Sequence, residues 1–438
     1  MLVQYLAFAV LILVMVGCLI DFKKTVIIWL SAQLLFNAQI ALRYSPPALS
    51  LVLGINLFLF CYYIIKRNSI AYKLNNEPFI LYGAMCLVIS SYILSSLFGD
   101  IQSFKGITTT IKYFGSGFCL LILAQKVLNT KEDLKLYLRS SAIIFGVIVA
   151  LAISETIIQH NLWLDFIYYN SPINDDTLGR MYYNPMGMQM RYGMVRAQST
   201  FGIHLAFGYA CCMYFWLFTL LTRGKRNFLP LWQLYLLSIL LAGGVFMANS
   251  KTGYVGICFI LMSIYSLKHL FNVKIVFPVI CMMIVILVYF PDYLNNYFSL
   301  FDSNLADEGG GSTVEGRKNQ FDVALRMFDR NPLFGNGLGS ISLMMKHSNY
   351  SDILGAESSW MQILPERGLY GAIAYIYMYW SAFVNFRKYI PAKIVLFFLL
   401  GLGVMETATG VLNMAGWGVV LLAIKRLYQI GTLQRATK

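Results

Sequence analysis

Apolar blocks of membrane-spanning length run through this chain, and they decide what it can fold into. A helix crosses the hydrocarbon core of a bilayer with roughly 20 apolar residues. Leu2–Ile20, Phe79–Phe98, Phe201–Thr222 and Lys274–Phe290 approach or meet that length. In lipid, each backbone polar group must find its partner inside the protein, and for blocks like these the solution is the helix. Only 12% of residues are charged, about half the share of a water-soluble domain.

Spanning segments are predicted near 2–20, 25–42, 48–65, 79–98, 107–125, 137–158, 201–222, 230–248, 252–268, 273–290 and 369–386. Residues 391–425 are too long for one simple helix. Gly401, Gly403, Glu406 and Gly410 mark a break, so two short helices are expected to meet near Glu406. The expected fold is all-α: a polytopic transmembrane helix bundle of about 12–13 spans, with a large extracytoplasmic loop containing short helices. Residues 1–290 then hold transmembrane helices with an outer loop at 159–200. Residues 291–368 form an extracytoplasmic region, and 369–438 form the C-terminal transmembrane helices. The N-terminus has no basic leader and no small-residue cleavage site, so its first block reads as a retained span.

The formal charge of +14 would suit a nucleic-acid binder, but its distribution does not. Lys23, Lys24, Lys66, Arg67, Lys126, Lys131, Arg223, Lys225, Arg226, Arg387 and Lys388 fall in alternate short loops. That is the positive-inside pattern, and it assigns those loops to the cytoplasm. No basic stretch is long enough for nucleic acid. The eight cysteines all lie in apolar blocks, without a CxxC pair, and read as packing residues. The four histidines have no metal spacing such as HExxH, and no zinc set of cysteines exists, so neither metal nor cofactor is expected.

Two long stretches, 159–200 and 291–368, fall on the outward side. Residues 315–330 read as an amphipathic helix with Phe321, Ala324, Leu325 and Phe328 on its apolar face. Asn331–Pro332 ends it, and Gly335–Asn336–Gly337–Leu338–Gly339 reads as a turn rather than a phosphate cradle. These stretches gather Arg180, Arg191, Arg196, Arg317, Arg326, Arg330 and Arg367, on the side where topology disfavours cations. The guanidinium fork suits phosphate or carboxylate. Pairing with Asp322, Asp329 or Glu315 is the alternative, and Asp322 with Arg326 fits a helical i,i+4 pair. Arg196 stands where the outer stretch meets the apolar block and is a candidate anion ligand. His204 reads equally as a site residue or a core histidine. Glu357 is a candidate base for a hydroxyl proton, whereas Glu366 reads as structural. Tyr182, Tyr183, Tyr192 and Trp360 can stack on sugar rings, or can be interfacial anchors. Lys112, Glu155 and Glu406 are intramembrane charges, functional candidates unless they snorkel from helix ends.

Four stretches carry a family resemblance. They are VRAQSTFGIHLAFG at Val195–Gly208, NSKTG at Asn249–Gly253, GRKNQFDVALRMFDRNPLFGNGLG at Gly316–Gly339, and ESSWMQILPERGLYG at Glu357–Gly371. Their order and spacing resemble the O-antigen ligase and polymerase family of bacterial envelope glycan assembly, over roughly the second half of the chain. The resemblance implies glycosyl transfer from an undecaprenyl-diphosphate-linked donor at the outer face of the bacterial cytoplasmic membrane. Arg196 and Arg317 would meet the diphosphate, assisted by Arg326 or Arg330. Arg191, His204, Tyr192 and Trp360 would bind substrate, and Glu357 would take the acceptor proton. The ligase branch typically has histidine where this chain has Glu357, which turns the expectation toward polymerisation of O-antigen, capsule or exopolysaccharide units. Lipid-linked donor and acceptor would be the partners, with a chain-length regulator as a further one. A ligase moving glycan to a lipid or protein is the alternative within the class. A lipid-linked glycan flippase is the rival from another class. It would call for mid-membrane polar groups and related halves.

Overall fold

The structure is a computed structural model of the whole chain. It describes residues 2–36, 40–44, 49–70, 74, 77–99, 103–171, 190–191, 194–224, 228–265, 314–341, 358–407, 414–431 and 433. It is mostly helical. Glu357, Tyr192, Arg180, Asp352 and the predicted span 273–290 lie outside the described residues.

The first helical run, α1 (Leu2–Ala32), leaves helical geometry only at Asp21. There it doubles back. A Cβ on Gly17 would touch Thr25, and Gln4 Nε2 donates to the Leu42 carbonyl at 3.2 Å. Neither contact exists in a straight helix, whose residues advance about 1.5 Å each. Asp21 makes the turn work. Its carboxylate accepts from Lys24 N–H at 3.1 Å, and its carbonyl accepts from Thr25 Oγ1 at 2.8 Å. The predicted 2–20 and 25–42 pair is therefore a helical hairpin, but its second limb is shorter than expected. A 3-10 turn, Gln33–Leu35, closes it, and Ala41–Arg43 (β1) pairs antiparallel with Leu49–Ser50 (β2).

Next come α2 (Leu51–Ile70), α3 (Tyr82–Phe98) and α4 (Ser103–Tyr113). A π turn, Phe114–Phe118, joins α4 to α5 (Cys119–Val127), so the predicted 107–125 span is helical but not regular. Helix α6 (Lys131–Ile158) begins in a capping box: Asp133 N–H donates to Thr130 Oγ1 at 3.2 Å, and Thr130 N–H to Asp133 Oδ2 at 2.7 Å. Then follow α7 (Leu162–Asn170), a two-strand ribbon of Met190–Arg191 (β3) with Met194–Val195 (β4), α8 (His204–Thr222), α9 (Leu231–Met247) and α10 (Lys251–Ile264). The last described helices are α11 (Val314–Phe328), α12 (Ser359–Phe386), α13 (Ala392–Glu406) and α14 (Met414–Gln429). The break expected near Glu406 is the end of α13.

Among the described residues, four stretches are long and apolar enough to cross a membrane: Leu2–Leu35, Gly106–Val127, Lys131–Ile158 and His204–Thr222. The first of these is the hairpin, so length alone understates its crossings. Shorter apolar helices accompany them at Leu51–Lys66, Tyr82–Phe98, Leu231–Met247 and Lys251–Ile264. Helix α8 is central, with 83% of its most apolar window buried. Trp216 stacks on Phe398 of α13 at 3.9 Å, and Tyr214 shares a hydrogen bond of 2.9 Å with Tyr137 of α6. Outer helices turn large apolar groups outward, among them Leu19, Ile20, Ile143, Ile157, Ile239, Ile376 and Trp380. Such a surface suits lipid rather than water. The chain is a membrane protein.

The cation-rich loops gather at one end of the bundle. Lys23 Nζ lies 2.7 Å from Asp133, and Lys425 Nζ lies 3.1 Å from Glu77. Lys126 Nζ donates to the Glu77 carbonyl at 2.8 Å. At the same end Arg223 Nη1 reaches the Ile264 carbonyl at 2.7 Å, and Lys393 Nζ reaches the Tyr265 carbonyl at 2.9 Å.

Candidate functional site

The other end is organised by a break in α12. Its backbone at Gly368 takes φ 64 and ψ −165, with Pro365 just before it. A break inside a bundle strands carbonyls on one side and N–H groups on the other, and each needs a partner. The turn after α11 supplies both. Asn336 N–H donates to the Pro365 carbonyl at 2.8 Å, and Gly337 N–H to the Glu366 carbonyl at 3.3 Å. Beyond the break, Leu369 N–H donates to the Pro332 carbonyl at 2.8 Å, and Tyr370 N–H to the Leu333 carbonyl at 3.1 Å. The Glu366 carboxylate accepts from Gly339 N–H at 2.9 Å, and Ser95 Oγ donates to the Glu366 carbonyl at 2.5 Å.

This explains the glycines. Gly335, Gly337 and Gly339 all have positive φ, which only glycine adopts without strain. A Cβ on Gly335 would strike the backbone of Glu366 and Arg367, and one on Gly368 would strike Leu333. The stretch 331–341 is a turn, as its sequence implies. Its purpose is to splint a broken helix.

The splint holds Arg367 inside. The residue is 3% exposed, and its guanidinium lies over the rings of Tyr92 at 4.7 Å and Tyr375 at 4.6 Å. The two tyrosine hydroxyls share a hydrogen bond of 2.7 Å. Arg367 Nε and Nη1 are buried with no hydrogen-bond partner. A desolvated cation–π contact is worth about 2 kcal/mol. A buried ion costs several kcal/mol unless it is paired. The two rings therefore offset only part of the burial.

Both rings also face a cavity of about 370 Å³, within the usual range of small-ligand pockets, roughly 300–1,000 Å³. Most of its wall is apolar, from Leu30 and Leu34 of the hairpin region, Val52, Leu53, Phe118, Phe201, Ile203 and Met213. One ammonium lines it, that of Lys112, beside Tyr113, Ser116 and Gly117 of the π turn. Tyr113 stacks on Tyr92 at 5.0 Å, which links the Lys112 side of the cavity to a ring under Arg367. Lys112 makes no ion pair among the described residues. Single π turns inside α-helices are frequent at functional sites.

Of the sequence candidates, Arg196 is half-buried, and its Nη2 donates to the Asn249 carbonyl at 3.4 Å. Asn249 has φ 46, a left-handed conformation that asparagine tolerates, and Ser250 then caps α10. The VRAQSTFG and NSKTG stretches are thus neighbours, joined also by Ala197 N–H to the Met247 carbonyl at 2.9 Å. His204 is 5% exposed at the start of α8, next to Ile203 and Ala206 of the cavity wall. Arg317 lies on α11 and Arg191 on β3, both described in backbone alone. Arg326 and Arg330 are exposed. Trp360 is half-buried, with Nε1 donating to the Gly403 carbonyl at 3.3 Å and its ring 5.8 Å from Tyr379, so it is built into α12–α13 packing. The apolar face expected on α11 is rotated. The helix packs through Gln320, Ala324 and Met327 toward Ile341, leaving Phe321 43% exposed.

Two intramembrane carboxylates do not snorkel. Glu155 is 1% exposed and accepts from Asn161 Nδ2 at 2.9 Å, Gln198 N–H at 3.0 Å and Ser199 N–H at 2.8 Å. It ties the 196–200 bend to α6. Glu406, also 1% exposed, accepts from Tyr379 Oη at 2.5 Å. Arg367 is the residue that sequence reasoning undervalued. The signal was available: proline and glycine bracketing a charge where an apolar helix begins.

Residues 236–376 match the family model described as O-antigen ligase. Proteins of that family are lipid-linked glycan transferases. The matched segment runs from within α9 through the splint and past the break to Ile376. No curated protein matches the chain.

Proposed function

We propose, from the premise of a glycan transferase of the O-antigen ligase kind, that this protein polymerises undecaprenyl-diphosphate-linked repeat units. The product would be O-antigen, capsule or exopolysaccharide, made at the outer face of the bacterial cytoplasmic membrane. One observation carries the reading: the matched segment folds into the splinted break that sets Tyr375, with Arg367 behind its ring, on the wall of an apolar, cation-bearing cavity. A lipid-linked anion needs that combination of surfaces. The cavity lies in the half of the bundle away from the cation-rich loops, the half that the positive-inside rule assigns to the outside.

In the reaction, an acceptor sugar hydroxyl attacks the anomeric carbon of the donor. The new glycosidic C–O bond forms as the bond to the carrier diphosphate breaks. The hydroxyl proton passes to a carboxylate, for which Glu357 is the candidate. Charge developing on the departing diphosphate is met by guanidinium groups, Arg196 and Arg317 foremost, with Arg191, Arg326 and Arg330 around them. His204 and Tyr192 border the substrate. No metal enters this scheme, because the leaving group is already a diphosphate.

The test is transfer by purified protein in detergent, given lipid-linked repeat units. Long chains formed without a membrane support polymerisation and exclude pure transport. Arg196→Ala is expected to lower chain formation on the order of a hundredfold while inserting normally. Chains of ordinary length in that variant would remove Arg196 from the site. The match to an O-antigen ligase family favours one second reading, transfer of finished glycan to a lipid or protein acceptor. Product that forms only when such an acceptor is added would establish it in place of polymerisation.

A further inference from the structure

We propose that Arg367 and Lys112 form a seat for a phosphate-class oxyanion carried on an isoprenoid or alkyl tail, with the tail in the adjoining cavity. Three observations converge on it. The Arg367 guanidinium is 3% exposed, yet Nε and Nη1 have no hydrogen-bond partner. Tyr92 and Tyr375, over whose rings the guanidinium lies, line a cavity with a largely apolar wall. Its lining also holds a second cation, Lys112, and the tyrosines Tyr92, Tyr113 and Tyr375, whose ring contacts run from the Lys112 helix to Arg367.

Each part has a task. The guanidinium fork presents parallel donors that match phosphate oxygens, and the rings of Tyr92 and Tyr375 hold its plane. The Lys112 ammonium is a compact charge that adapts to oxygens further along a diphosphate. The Tyr92–Tyr375 hydroxyl pair can open and donate to the anion, a hydrogen bond exchanged rather than lost. Phe118, Phe201, Ile203 and Met213 give the tail an apolar surface. The π turn places Lys112 on the wall: Ser116 Oγ donates to the Lys112 carbonyl at 2.6 Å, which takes up a backbone group within the irregular stretch.

This seat uses none of the arginines assigned above to the transfer step, Arg196, Arg317, Arg191, Arg326 and Arg330, and it deepens the proposed function. It rests on that reading for the identity of its ligand as a carrier lipid diphosphate, but its existence is a matter of binding alone. A polymerase joins two carrier-linked chains and so handles two diphosphates. An oxyanion seat besides the Arg196 neighbourhood provides for the second.

The experiment is calorimetric titration of the full-length protein in detergent with three probes: farnesyl diphosphate, inorganic pyrophosphate and farnesol. Farnesyl diphosphate is expected to bind most tightly, pyrophosphate weakly and farnesol weakly. Arg367→Met and Lys112→Met should each weaken farnesyl diphosphate at least tenfold and leave farnesol unchanged. Arg367→Lys should recover part of the loss, because charge returns without the fork. Pyrophosphate binding as tightly as farnesyl diphosphate would mark a free-phosphate site and overturn the tail assignment. Unchanged affinity in a folded Arg367→Met overturns the seat. Should that variant fail to fold, Lys112→Met decides alone, since its side chain is exposed and its loss leaves no buried group unpaired. Binding that follows these expectations in a protein forming no polymer would keep the seat and sink the transfer reading. Polymer formation with unaltered binding in the variants would do the reverse.

Discussion

The two ends of this bundle use the same cations in opposite ways. At the cation-rich end four cations touch a carboxylate or a carbonyl: Lys23 on Asp133, Lys425 on Glu77, Arg223 on Ile264, Lys393 on Tyr265. Those charges sit at helix termini, and their contacts staple one loop to the next. At the other end Arg367 is driven indoors by a broken helix and keeps two donors unspent. Lys112 faces a cavity with no ion pair among the described residues. Charge at the first end is used up by the fold. Charge at the second end is held by the fold for something else.

Substitutions can break or sharpen that contrast. The largest effect on stability is expected from Gly368→Ala, which forces positive φ on alanine and drives a methyl into the Leu333 backbone. Strain of this kind costs about 1–3 kcal/mol by itself, and with the displaced splint the loss should exceed about 4 kcal/mol, read as a collapse of monodisperse protein in detergent. Glu155→Ala comes next. It leaves the N–H groups of Gln198 and Ser199 and the amide of Asn161 without their acceptor, at about 1–3 kcal/mol for each buried donor. Thermal unfolding should show it, with Glu155→Gln losing less. Asp133→Asn removes the ion pair to Lys23 and weakens the cap of α6, for about 1–2 kcal/mol. Its transfer rate should stay within a factor of two or so of the parent once folded protein is matched. A folded Asp133→Asn protein without activity would end the division between the two ends. Lys393→Met should be the mildest, within about 0.5 kcal/mol.

Much of the fold could be read from the apolar blocks. Spans predicted at 79–98 and 230–248 are Tyr82–Phe98 and Leu231–Met247, and the stop near Glu406 is real. Hydrophobic length reports on lipid, and lipid acts on every residue of a span alike. What the blocks do not carry is phase and register. The α11 helix turns Gln320, Ala324 and Met327 inward toward Ile341 and leaves Phe321 outside, a phase that depends on the neighbouring turn and not on the helix's own periodicity. The π turn in 114–118 has no hydrophobic signature, since a one-residue slip leaves the block apolar throughout. Glu155 looked like a snorkelling acid because its partners, the N–H groups at 198 and 199, belong to a bend that no periodicity announces. Arg367 was hidden for a related reason. Its meaning comes from Tyr92, on a helix far away in sequence.

The splint has one more consequence. Glu366 and Gly368 carry much of the architectural labour at the elbow, through a carboxylate, a carbonyl and a permissive backbone. The side chain at 367, caught between them, takes no part in the hydrogen bonds of the splint and reaches instead to the rings of Tyr92 and Tyr375. A chain assembled this way divides the labour at its innermost point: backbone and carboxylate close the elbow, and the side chain between them is left to face the aromatic wall.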